Sequence, residues 1–134
     1  MLRRPDDRIV GGMTSTPAPT AIDNYFDCWN EPDDARRLHL IEAAWAPNAR
    51  SVDPLADVTG HVAISEMMGA VQQQFPGHRF GLVGDPLAHH DVAHWCWTLV
   101  DADGSRVIGG LDVARLDADG LITELIGFFD GGPS

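Results

Sequence analysis

The sequence predicts an α+β fold, in which a curved antiparallel sheet wraps around N-terminal helices and forms a cone with an apolar interior. In the first half of the chain the apolar residues recur at spacings of three and four, which is typical of amphipathic helices. After Gly77 the spacing changes to two, which is typical of half-buried strands. Helices followed by a run of strands indicate an α+β domain rather than alternating βαβ units.

Three helices are predicted before Gly77. The first follows Pro17 and has an apolar stripe at positions i, i+3, i+4 and i+7, formed by Ile22, Tyr25, Phe26 and Trp29. The second starts at Asp33 or Asp34 as its cap and includes Trp45 near its end. The third follows Gly60 and buries a face formed by Ile64, Met67, Met68, Val71 and Phe75.

A short strand is predicted over residues 49–53, and the chain after Gly77 is predicted to be mostly strand. Alternation and turn residues give the strands Arg79–Val83, Pro86–His90, Val92–Val100, Arg106–Leu116 and Leu121–Phe129. Two of the connections carry Asp-Ala-Asp-Gly, which suits tight turns. Glycines inside these strands mark places where the sheet could bend or a ligand could approach the backbone: Gly109, Gly110 and Gly127.

Length and charge limit the function classes. The 134 residues suit a single domain over residues 17–134, preceded by a flexible N-terminal arm over residues 1–16, within which Met13 is a second candidate start. The net charge of −11 disfavours nucleic acid and anionic membranes as partners. No apolar run reaches the length of a membrane span, and the first residues lack the apolar segment of a signal peptide, so cytoplasmic residence is expected.

Asp112 is the first candidate functional residue. Alternation places it on the same strand face as Ile108, Gly110, Ala114 and Leu116, so its carboxyl group would lie among apolar neighbours. Burial disfavours the ionised form and would raise the pKa of Asp112, which would let a neutral acid donate a hydrogen bond to a substrate oxygen. The alternative is an aspartate on the solvated face or one bonded to a nearby loop.

Asp53 and Tyr25 are the other two candidates. Asp53 ends the short strand before Pro54, where a carboxylate could act as a general base at the mouth of a pocket or could simply belong to a turn. Tyr25 is the only tyrosine and lies in the helical stripe, so its hydroxyl group needs a partner when buried. That partner could be a carboxylate, a backbone carbonyl or a ligand.

The remaining reactive side chains receive weaker assignments. His94 could be an auxiliary acid or base if its face of the strand lines the pocket; otherwise it is an edge or interface histidine. Cys28 and Cys96 lie in apolar segments and are predicted to be reduced core residues. No complete set of metal ligands is evident, so neither a metal nor a cofactor is expected.

Two segments carry a family resemblance. Leu111–Ile122 is a strand-turn-strand motif, and Ala49–Pro54 is followed by Gly60 and the third helix. Together they resemble the nuclear transport factor 2-like superfamily, in particular its SnoaL-like and ketosteroid isomerase-like members, over roughly residues 17–130. The resemblance implies a cystatin-like roll in which Asp53 matches the base that shuttles the proton. It also implies that Asp112 matches the protonated acid of the oxyanion hole and Tyr25 its second donor.

The expected function is acid–base catalysis without a cofactor on a small hydrophobic carbonyl compound, by a double-bond isomerase of ketosteroid isomerase type or a SnoaL-like polyketide cyclase. Epoxide opening is not expected, because the relatives that perform it use an Arg-Asp pair where this chain has residues 94–97. The pocket wall would include Phe26, Trp29, Met68, Ala114, Leu125, Gly127 and Phe129. The rival hypothesis is a non-catalytic small-molecule-binding or dimerisation module. A homodimer through the outer sheet face is expected in both cases.

Overall fold

The computed structural model describes residues 18–130. The described part contains, in order, α1 (Ala18–Trp29), α2 (Asp34–Ala44), β1 (Trp45–Asp53), β2 (Ala56–Thr59), α3 (His61–Gln74), β3 (Arg79–His89), β4 (Val92–Val100), β5 (Arg106–Leu116) and β6 (Ile122–Phe129). The predicted α+β class is therefore confirmed. The predicted N-terminal arm over residues 1–16 lies outside the described residues.

The helices follow the predicted apolar spacing. In α1 the buried face is formed by Ala18, Ala21, Ile22, Tyr25 and Cys28. Asp33 caps α2, because its side chain accepts a hydrogen bond from the backbone N–H of Arg36 at 2.9 Å. Trp45 was predicted to be helical, but it is the first residue of β1 and is fully buried opposite Ile122. An apolar residue such as Trp45 suits either a helix or a strand, and here its pairing with β6 makes it part of a strand.

The sheet has the strand order β2-β1-β6-β5-β4-β3 and does not close. Strands β3 to β6 form the predicted antiparallel meander. The prediction of a wholly antiparallel sheet is corrected at one pair, since β1 runs parallel to β6. Strand β2 pairs antiparallel with β1 and was not predicted, because four residues are too few to establish an alternating pattern.

The two strands predicted at residues 79–83 and 86–90 form one strand, β3, with an irregular register. Its pairing with β4 shifts between Val83 and Leu87. Gly84 has φ +70° in this interval, which glycine adopts at little cost. A bulge of this kind bends a strand without ending it.

The inner face of the sheet packs on the helices and holds the apolar core. On β4 the inward residues are Trp95, Trp97 and Leu99, all of which are buried. Cys96 points the other way and is exposed, so the prediction that it belongs to the core was wrong, while Cys28 is buried as predicted. Within residues 18–130, no helix combines the length and the hydropathy needed to cross a bilayer.

Candidate active site

The strand register brings Asp53 and Asp112 to the two sides of Gly127. Asp112 on β5 lies opposite Gly127 on β6. On the other flank of β6, Val52 lies opposite Ile126, so the next residue, Asp53, comes beside Gly127. A Cβ atom built on Gly127 would lie 2.9 Å from Oδ1 of Asp112 and 3.3 Å from Cβ of Asp53. The absence of a side chain at Gly127 therefore leaves room for both acids.

Tyr25 reaches the same place from α1. Its hydroxyl group donates a hydrogen bond of 2.6 Å to Oδ2 of Asp112, and both residues are buried. Edge-on aromatic contacts fix the phenol ring, with Trp95 at 5.1 Å and Phe26 at 5.4 Å between ring centroids. A helix and a strand that are 87 residues apart in the chain thus present two adjacent polar groups.

Burial controls the protonation of this pair. Burial is the largest effect on Asp112 and raises its pKa to about 7. The hydrogen bond from Tyr25 and the nearby indole of Trp97 lower this pKa, and the charge of Asp53 raises it. Burial and the Asp112 carboxyl group also raise the pKa of Tyr25 well above its ordinary value. Tyr25 therefore keeps its proton at neutral pH, and Asp112 keeps its proton in a large fraction of molecules. Both groups can serve as hydrogen-bond donors.

Asp53 is held at the start of the turn between β1 and β2. Its Oδ1 atom accepts hydrogen bonds from the backbone N–H groups of Leu55 at 2.8 Å and Ala56 at 2.9 Å. This arrangement is an Asx turn, which fixes the carboxylate relative to the strand. Leu55 is 78% exposed, and it borders the cavity described next.

An apolar cavity of about 170 Å³ contains all three groups. One ordered water needs only about 10–15 Å³ on the same measure, so the cavity has room for an organic molecule. Five of the wall residues expected from the sequence border it: Phe26, Trp29, Leu125, Gly127 and Phe129. Met68 and Ala114 do not, because both are buried in the core at 0% and 1% exposure, and Met67 and Val71 of α3 take the wall positions instead.

Sequence reasoning missed several residues of the cavity. Ser51 is buried in the wall and lies two residues before Asp53 on β1, so strand alternation could have identified it. Trp97 also lines the cavity, on the inner face of β4. The other unpredicted wall residues are apolar except for Gln74: Leu55, Ala56, Met67, Val71, Gln74, Phe75, Phe80, Leu99 and Ile108.

His94 does not belong to this site. It is exposed on the outer face of β4, so its proposed auxiliary role is corrected. Burying Trp95 and Trp97 removes more apolar surface from water than burying His94 and Cys96 would, and this decides which face of β4 points inward. Between Ala18 and Asp130, no three histidine, cysteine or acidic side chains converge as a metal site requires.

The chain is similar to a known protein family and to several solved structures. The model of the SnoaL-like domain family matches residues 22–125. The structure of a candidate isomerase of the SnoaL-like family from Agrobacterium tumefaciens strain C58 is 43% identical with a TM-score of 0.82, over 87% of this chain and 100% of that one. Among curated proteins, none matches the chain significantly.

Two more distant structures share the fold. A protein of unknown function with a cystatin-like fold from Methylobium petroleophilum PM1 is 23% identical with a TM-score of 0.66, over 88% of this chain and 78% of that one. A candidate polyketide cyclase from Sinorhizobium meliloti is 21% identical with a TM-score of 0.64, over 81% of this chain and 94% of that one. The predicted cystatin-like roll is confirmed.

Proposed function

We propose, from the premise that this chain belongs to the SnoaL-like family, that it transfers a proton at a carbon atom next to a carbonyl group of a small hydrophobic compound. The observation that carries the proposal is the convergence of Asp53, Asp112 and Tyr25 on one apolar cavity. Two donors and a carboxylate in such a cavity are the groups that enolate chemistry needs.

The proposed reaction begins at Asp53. Its carboxylate takes the proton from the carbon atom, and the electron pair of the C–H bond moves into the carbonyl group, which becomes an enolate. Tyr25 turns its O–H group from Asp112 to the enolate oxygen, and protonated Asp112 donates a second hydrogen bond to the same oxygen, where negative charge develops. Return of the proton from Asp53 to a conjugated carbon gives the isomer.

The cyclase alternative uses the same first step. The enolate carbon attacks a second carbonyl group of the same molecule, a carbon–carbon bond forms, and the new alkoxide takes up a proton. The 43% identity with the candidate isomerase supports isomerisation, while the similarity to the candidate cyclase is a similarity of fold. We therefore place isomerisation first.

The test measures removal of the proton itself, so that it does not depend on knowing the substrate. The probe is 2-tetralone in D₂O, and NMR follows exchange of its α-protons. We expect the protein to accelerate this exchange and D53N to lower the acceleration by about 10²–10⁴-fold, because the amide keeps the Asx turn but cannot accept the proton.

The matched control is D101N. Asp101 also holds a turn through Oδ1, by accepting hydrogen bonds from the backbone N–H groups of Asp103 and Ser105 at 2.9 Å, but it is absent from the cavity wall. D101N should retain the exchange rate of the unmodified protein. Binding of 2-tetralone without accelerated exchange, in all three proteins alike, would favour the non-catalytic binding module and contradict the enzyme.

We further propose that the protein is a homodimer through the outer face of the sheet. One cross-strand row on that face consists of Val83, Cys96, Leu111 and Phe128. Phe128 is 52% exposed and Val83 is 48% exposed. An apolar surface of this kind is more often covered by a partner than left in water.

A further inference from the structure

The cavity holds more hydrogen-bond donors than the proposed reaction uses. The indole Nε1 atoms of Trp29 and Trp97 are buried, and among the described residues neither has a hydrogen-bond partner. Both residues line the cavity. Leaving a buried donor unpaired is costly, and such groups usually acquire a partner or have a functional reason.

Trp97 is the better placed of the two. It is only 8% exposed, and its ring packs between the aromatic side chains of Phe80 and Phe129. The ring also lies close to Gly110, since a Cβ atom built there would be 2.8 Å from Cε2, the carbon next to Nε1. These three contacts leave the ring little freedom to turn its N–H group elsewhere.

The N–H groups of both tryptophans lie near the donor pair. Trp29 is one turn after Tyr25 on α1, with the two ring centroids 6.4 Å apart. Trp97 is diagonal to Asp112 across strands β4 and β5, because its direct partner is Gly110. The buried end of the cavity therefore has four donors, from Tyr25, Asp112, Trp29 and Trp97.

A single carbonyl oxygen cannot satisfy four donors. Its two lone pairs suit Tyr25 and Asp112, which leaves the indole N–H groups without an acceptor on the ligand. A ligand with a second oxygen next to the first would supply one. A ligand without the second oxygen would bind less tightly, because the indole N–H groups would then stay buried without a partner.

We propose that the indole N–H of Trp97, assisted by that of Trp29, forms a second acceptor subsite that selects ligands with another oxygen atom close to the reacting carbonyl group. The subsite rests on the proposed function, because it takes Tyr25 and Asp112 as the donors to the first oxygen. Trp97 is a specificity-determining residue in this view and takes no part in moving the proton.

The test compares two ligands in which one carbonyl oxygen is replaced by a methyl group and a hydrogen atom. 2-Acetyl-2-methyl-1-tetralone has a second carbonyl group and cannot enolise between the two, and 2-isopropyl-2-methyl-1-tetralone has nearly the same shape without that carbonyl group. We expect calorimetry to show that the full chain binds the acetyl compound about 10-fold more tightly, which corresponds to one hydrogen bond of ordinary strength. W97F should reduce this preference to about 2-fold or less, because phenylalanine keeps much of the ring and loses the N–H group.

W45F is the matched control. Trp45 on β1 is 0% exposed and also has an Nε1 atom without a partner among the described residues, but it does not line the cavity. W45F should keep the 10-fold preference. A second measurement needs no substitution: with ¹⁵N-labelled tryptophan, the Trp97 indole N–H signal should move downfield with the acetyl compound and stay in place with the isopropyl compound.

The outcomes separate this proposal from the proposed function. Equal affinity for the two ligands, or a preference that survives W97F, would overturn the subsite even if D53N still abolished proton exchange. A preference that depends on Trp97 would support the subsite even if no exchange were found. If W97F instead lowered the affinity for both ligands equally, the Trp97 indole would donate its hydrogen bond to the Asp112 carboxyl group and not to the ligand. That result would also overturn the subsite.

Discussion

At Asp112, burial and hydrogen bonding act on the same carboxyl group in opposite directions. The hydrogen bond from Tyr25 stabilises the ionised form, whereas removal from water destabilises it. Removal from water is the larger effect, so the pKa of Asp112 rises to about 7. A group with this pKa can hold a proton and donate it in a hydrogen bond near pH 7.

The raised pKa of Asp112 predicts how stability depends on pH. Between about pH 4 and pH 7 the folded protein keeps a proton on Asp112 that the unfolded chain has released. The free energy of unfolding should therefore fall as the pH rises through this window and level off above it, by about 3–4 kcal/mol from this residue alone. Urea denaturation of the unmodified protein and D112N at several pH values measures the difference.

In D112N this fall should disappear, because the amide does not titrate. D119N is the control, since Asp119 is exposed in the turn after β5, and it should keep the pH dependence of the unmodified protein. If the difference in unfolding free energy between the unmodified protein and D112N stayed constant from pH 4 to pH 8, the pKa of Asp112 would not be raised.

Alternation along β5 was sufficient to predict that Asp112 faces inward, because its neighbours at i±2 are apolar and Arg115 has the opposite parity. The hydrogen bond to Tyr25 could not be predicted from the residues, since it depends on where α1 sits over the sheet. The error at His94 has a similar cause. The role proposed for His94 depended on which face of β4 points inward. The packing of β4 against the helices determines that face, and the sequence of β4 alone does not show it.

Among the elements, β6 matters most for the site, because it separates β1 from β5 and has no side chain at the critical position. G127A would place a methyl group 2.9 Å from Oδ1 of Asp112 and 3.3 Å from Cβ of Asp53. Both acids would have to shift, so we expect the α-proton exchange of 2-tetralone to fall by about 10²-fold, in line with the sensitivity of catalysis to small displacements.

G81A is the control for G127A. Gly81 lies in β3, where an added Cβ atom would meet nothing within 4 Å, so exchange should be unchanged. Melting curves of both variants show whether the fold is retained. Full exchange activity in a folded G127A protein would contradict the role given to the space between the two acids.

The element boundaries show where local sequence was insufficient. The helices and the last three strands could be predicted because their apolar periods extend over eight residues or more. Strand β2 has only four residues and was not predicted, and of β1 only residues 49–53 were predicted. The parallel pairing of β1 with β6, in which Val52 lies opposite Ile126, leaves no local pattern in the sequence. Asp53 ends β1, and its place beside Gly127 was therefore beyond local reasoning.

For the whole molecule, the proposed dimer gives a prediction about mass. Light scattering should find a particle twice the 14.5 kDa of one chain. F128K should shift it toward the monomer, because a charge on the apolar row of the outer face would lose its water in the dimer. V62K is the control: Val62 is 60% exposed on α3, away from the sheet face, so this variant should remain dimeric.

Circular dichroism should be the same for the three proteins, which separates dissociation from unfolding. A monomeric mass for the unmodified protein at all concentrations would contradict the dimer. Dissociation by V62K in place of F128K would move the interface to the helical side.

The bulge in β3 also limits how copies of the chain can join. An open sheet has two edges whose free N–H and C=O groups can recruit another strand. Among the described strands, one edge is β2, which offers only four residues, and the other is β3, where Gly84 twists the backbone and Pro86 lacks an N–H group. Edge-to-edge growth into fibres is therefore disfavoured, which agrees with a proposed dimer that uses the outer face of the sheet and not its edges.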